Sequence, residues 1–131
     1  MKQILINLPV RDAEASKKFF TSLGLAPNEK LSDEKANCFN IEENIIVALL
    51  PIEHFEETIN GNKVADTKTN ETLLAIGMET KEAVAAFIDR AVKAGGQELH
   101  ERADFPGIYA GTFKDLDGHQ WNIFCMLDGS N

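Results

Sequence analysis

The chain has 131 residues, 44% of them hydrophobic and 26% charged, which is the balance of a folded domain and excludes a wholly disordered chain. Acids outnumber bases by 21 to 13, and the formal charge of -8 repels phosphate backbones and anionic lipid, so neither nucleic acid nor a membrane is an expected partner. The longest apolar run, Ile45 to Leu50, is far short of a bilayer span, and Met1 to Val10 lacks the features of a secretory signal, so a cytoplasmic protein is the expectation.

Gln3 to Val10 is short, apolar and punctuated by Pro9, which predicts a buried strand. Asp12 offers an N-cap oxygen, and Glu14 sits where a helix dipole favours a carboxylate. Ala15, Phe19, Phe20 and Leu23 then recur at helical spacing up to a stop at Gly24. Three strands are predicted next, Ala26 to Leu31, Ala36 to Ile41 and Ile45 to Leu50, with turns at Ser32-Asp33 and Glu42-Glu43-Asn44. Residues 52–71 form an excursion. His54, Phe55 and Ile59 seed a short helix there, and Asn60-Gly61-Asn62 breaks it.

The pattern then repeats. Thr72 to Met78 predicts a strand, and Thr80 caps a helix with Val84, Phe87, Ile88, Ala91 and Val92 on one face. Gly95-Gly96 ends it. Gln97 to Glu101, Ile108 to Lys114 and Gln120 to Leu127 are three further strands, with turns at Pro106-Gly107 and Asp117-Gly118. Half-modules 1–51 and 72–131 thus share the order strand, helix, strand, strand, strand. One helix covers one face of such a sheet, so two modules can share a cleft, within one chain or by exchange between two.

Two segments carry a family resemblance. Leu8-Pro9-Val10-Arg11-Asp12, running on through Phe19-Phe20 to Leu23-Gly24-Leu25, resembles the opening of vicinal oxygen chelate proteins, the superfamily of glyoxalase I, bleomycin-resistance proteins and extradiol dioxygenases. Asp115-Leu116-Asp117-Gly118-His119-Gln120-Trp121-Asn122 resembles its closing hairpin. The resemblance covers nearly the whole chain and implies a single α+β domain, 1–131. In that fold two βαβββ modules form a curved mixed sheet around a cleft, with the helices outside. Metal-binding members hold a divalent ion with a His or Gln in the first strand, a Glu in the fourth, a His or Glu in the fifth and a Glu in the eighth. Those positions fall here near Leu5, Ala48 and Leu73 and at Asn122. Leu and Ala donate nothing, and an amide is a weak substitute for a carboxylate, so no metal or other cofactor is expected.

Cleft candidates are Leu5, Asn7, Ala48, Leu73 and Asn122, with Phe39, Phe55, Phe105 and Phe113 as apolar walls and Tyr109 at a cleft mouth. Trp121 alternates with Asn122 and is expected to pack toward the helix. His54, His100 and His119 match no metal-ligand spacing, even with Glu101 or Asp104. Arg11 and Arg102 suit surface ion pairs. Cys38 and Cys125 read as buried free thiols. No catalytic constellation stands out. The expectation is a small-molecule binding protein that sequesters a cationic or aromatic ligand and forms a homodimer. The alternative is a lyase, isomerase or dioxygenase with non-standard metal ligands.

Overall fold

The computed structural model describes residues 2–127, with the backbone alone at Phe105. The chain divides into two compact units, Met1–Asp66 and Thr67–Asn131. The first contains β1 (Ile4–Val10), α1 (Ala13–Ser22), β2 (Ala26–Pro27), β3 (Asn37–Glu42), β4 (Ile45–Pro51) and α2 (Ile52–Thr58). Its sheet runs β1-β4-β3-β2, with β1 parallel to β4 and the other pairs antiparallel. The second contains β5 (Leu73–Gly77), α3 (Lys81–Lys93), β6 (Gln97–Glu98), β7 (Ala103–Phe105), β8 (Ile108–Lys114) and β9 (Gln120–Met126). Its sheet runs β5-β9-β8-β6 with β7 also on β8, and β5 is parallel to β9. The βαβββ order of each half is therefore present, with the same strand order twice.

Local chemistry sets these elements. The Asp12 carboxylate accepts the Ala15 amide at 3.0 Å and opens α1, and Gly24 leaves the helix with φ of 91°. Thr80 does the same for α3 through the Ala83 amide at 3.0 Å. At its end Gly95 takes φ of 113° and the Gly96 amide reaches back to the Ala91 carbonyl at 2.8 Å. Each helix buries its apolar stripe, Phe19, Phe20 and Leu23 from the first and its flank, and Val84, Phe87, Ile88 and Ala91 from the second. No helix among the described residues is long and apolar enough to cross a membrane.

Two predicted strands are shorter than expected. Ala26 to Leu31 pairs only at Ala26–Pro27, because Asn28 turns the chain. Its side chain accepts the Leu31 amide at 3.0 Å, and its carbonyl accepts the Ser32 amide at 3.0 Å and the Ser32 hydroxyl at 2.7 Å. Gln97 to Glu101 pairs only at Gln97–Glu98, and the edge is resumed by β7, which has no counterpart among the predicted strands.

Candidate functional site

Alternation and register assign a face to every strand residue. In the first unit Phe39 lies opposite Val47, and its ring is 6.1 Å from that of Phe20 on α1. Phe39, Val47 and Leu49 therefore face α1. Cys38 opposite Ala48, together with Ile46 and Leu50, faces the other way. Leu5 aligns with Ile46 and Asn7 with Ala48, which brings three of the predicted residues, Leu5, Asn7 and Ala48, onto this second face. Leu5 is 41% exposed, Asn7 is exposed, and Ala48 is buried.

In the second unit Phe113 lies opposite Trp121, and their rings stack at 6.5 Å and 8°. Phe87 of α3 lies 6.2 Å from Phe113 on the same side. Trp121 thus packs toward the helix, and its neighbour Asn122 points away from it, half-buried opposite Thr112. Leu73, 56% exposed, shares the Asn122 face through its register with Gln120. Phe124 is also on this face, its ring 3.1 Å from where a Cβ on Gly77 would stand, so glycine there makes room for the ring.

Of the predicted walls, Phe39 and Phe113 stand in the helix-facing cores, 1% and 0% exposed. Tyr109, in register with Cys125, is on the α3 side too, with the Lys81 ammonium 4.7 Å from its ring centroid. The side chain of Phe105 lies outside the described residues. Phe55, the fourth predicted wall, packs against Cys38, Ile46, Ala48 and Leu50 on the first face. Residues on these faces that the sequence reading does not name as candidates are Cys38 on the first and Thr112 and Phe124 on the second. Their signal was alternation with core residues, readable only once strand pairing was known.

Several other polar groups named in the sequence are engaged locally. Arg102 donates to Glu98 at 3.0 and 3.3 Å and to Asp89 at 2.6 Å, and these bonds raise its pKa further above the ordinary arginine value. Lys81 bridges to Asp104 at 3.1 Å, which raises its pKa as well. His100 Nδ1 lies 3.2 Å from the Glu101 carbonyl. Burial pushes the Cys38 thiol up, and the charge of Asp33 adds to that, against a hydrogen bond with Ser32. Such a thiol stays protonated and is a poor nucleophile.

Among the described residues no three His, Cys, Asp or Glu side chains group as a metal site. The residues at or near which the resemblance places the family's ligands, Leu5, Ala48, Leu73 and Asn122, supply no carboxylate or imidazole, and these four do not fit the metal that metal-binding members hold.

The family model of the Glyoxalase/Bleomycin resistance protein/Dioxygenase superfamily matches residues 2–123. The chain belongs to that superfamily. It is similar to the hypothetical protein SA1046 of S. aureus at 30% identity and a TM-score of 0.82, covering 95% of this chain and 94% of that one. A glyoxalase-related enzyme from Fulvimarina pelagi is 25% identical with a TM-score of 0.79, over 99% of this chain and 96% of that one. A family enzyme from Burkholderia phytofirmans PsJN shares the fold at 17% identity and a TM-score of 0.80, over 94% and 97% of the two chains. No curated protein matches the chain.

Proposed function

We propose that this protein binds and sequesters a small organic molecule, using the sheet faces turned away from α1 and α3 and no metal at the family's usual ligand positions. The observation that carries this reading is the chemistry of those positions, where Leu5, Ala48 and Leu73 are apolar and Asn122 is a neutral amide. Such residues suit an organic ligand, with the apolar side chains supplying contact area and Asn7 and Asn122 supplying directional hydrogen bonds. The net charge of -8 favours a cationic molecule over an anion.

The test is elemental analysis of untagged protein after mild dialysis, followed by a thermal-shift screen of cationic and aromatic compounds. The expected result is no stoichiometric transition metal and at least one stabilising compound. A ligand at a hundred times its Kd adds about 2.7 kcal/mol, a shift of several degrees. Asn122→Leu is expected to abolish that shift. One metal per chain, lost on substituting a residue of these faces, would instead favour the lyase, isomerase or dioxygenase reading. Light scattering coupled to size exclusion is expected to give twice the 14.5 kDa chain mass. Exposed Ile4 and Leu5 on the edge strand β1 and Leu73 on the edge strand β5 are apolar surface that a second copy would bury. A monomer mass dismisses the dimer and leaves the binding reading standing.

A further inference from the structure

Cys38, Ile46, Ala48 and Leu50 lie on the side of the first sheet away from α1, and each is at most 4% exposed. Their cover comes from the chain itself. Helix α2 packs on β1 and β4, and Phe55 lies against the four residues together with Ala36.

The helix that delivers Phe55 is weakly held. It has seven residues, fewer than an isolated helix needs to persist in water. Pro51 at its N-cap makes no side-chain capping bond, and none of its residues is fully buried. Glu56 and Glu57 stand in its last turn, where the helix dipole disfavours negative charge. His54 Nδ1 is buried without a hydrogen-bond partner, and the Glu57 carboxylate is 3.7 Å away, beyond bonding range. An unmade bond of this kind is a cost of the packed state that lifting the helix removes. The polar anchors of α2 run to the segment that follows it and would travel with it. Glu56 accepts the Val64 amide at 3.0 Å and pairs with Lys63 at 3.6 Å. Between them Asn60 and Gly61 turn the chain with φ of 62° and 82°.

We propose that α2 is a displaceable cover, and that Phe55 occupies on this face the place an aromatic or branched aliphatic group of the ligand takes when the helix lifts. The packed state is the resting one, because lifting α2 without a ligand exposes apolar surface. Ligand affinity is then set partly by competition with Phe55, and loss of that ring both opens the face and vacates its place. This rests on the face being ligand surface. The test below needs no ligand, so the cover can fail while binding stands, and the reverse.

Cys38 lies beneath the cover, and Cys125 is buried in the second unit on the α3 side. Alkylation of the intact protein, resolved by peptide mass spectrometry, reads both thiols at once. Phe55→Ala is expected to raise the Cys38 rate at least tenfold and leave Cys125 unchanged. In the wild-type protein, hydrogen exchange is expected to show α2 amides exchanging at least tenfold faster than those of β3 and β4. An unchanged Cys38 rate, or a parallel rise of both thiols, overturns the proposal. So does exchange of α2 in step with β3 and β4, a measurement that stands even where Phe55→Ala does not fold.

Discussion

Replacing Asp115 with alanine is expected to cost about 3–5 kcal/mol, because it removes a buried carboxylate that accepts three hydrogen bonds. Asp115 follows β8 and is 6% exposed. One carboxylate oxygen accepts the Asp117 amide at 2.9 Å and the His119 amide at 3.0 Å, and the other accepts the indole N–H of Trp121 at 3.0 Å. The same residue closes the turn through its backbone, its amide donating to the His119 carbonyl at 2.9 Å. The carboxylate therefore sets the β8–β9 register and orients Trp121, which carries the stack on Phe113. Alanine removes the acceptor of all three bonds. Asparagine keeps the oxygen that serves the two backbone amides but sets an N–H against the indole N–H, so Asp115→Asn is expected to cost less, about 1–3 kcal/mol. Trp121 is the only tryptophan, and its fluorescence during urea unfolding reads both variants.

The same carboxyl sets a pH dependence. Burial raises its pKa above the ordinary 3.8, against the pull of His119, the indole N–H and the two amides. Between the ordinary value and the raised one the folded state binds the proton more tightly than the unfolded state does. The contribution of this group to stability is thus fully present below pH 3.8 and falls as pH rises through the folded value. Relative to Asp115→Asn, the wild-type protein is expected to gain stability on acidification through that interval. Paired urea titrations across it give the sign, and a gap that narrows toward acid would contradict the assigned direction.

Hydrophobic periodicity carried most of the fold. The alternation of β9 and the helical spacing of Phe87, Ile88 and Ala91 make one repeat unit legible, and the caps Asp12 and Thr80 mark where the helices begin. What was not legible depends on contacts distant in sequence or on local bonds that compete with pairing. Asn28 looks like a strand residue until its side chain and carbonyl are seen to close a turn. Phe39 and Phe113 look like walls for a ligand, because alternation separates two faces without saying which one a helix covers. Only the pairing of Phe113 with Trp121, and of Phe39 with Val47 beside Phe20, decides that. The occupation of Ala48's face by α2 was equally hidden. Residues 52–58 suggest a short helix, but where it packs depends on a patch that β3 and β4 build together.

That distinction between faces makes its own prediction, with Phe113 and Asn122 as the probes. They belong to paired strands, close enough for one hairpin to hold both, yet on opposite sides of the sheet. Phe113 fills the space between Phe87 and Trp121 and is fully buried, so Phe113→Ala is expected to cost about 3–5 kcal/mol in transfer and cavity terms. Asn122 is half-buried with no large side chain packed over a helix, so Asn122→Ala is expected to cost under about 1 kcal/mol. The order reverses for ligand binding. Under conditions where each variant remains folded, Phe113→Ala is expected to keep the affinity found for the wild-type protein within a few-fold, and Asn122→Ala to weaken it tenfold or more, the worth of one well-placed hydrogen bond. Denaturant midpoints and calorimetric titration separate the two scales. Were Phe113→Ala to lose the ligand while keeping full stability, the binding surface would lie on the α3 side of this sheet, and Tyr109 with its neighbour Lys81 would become the residues to test next.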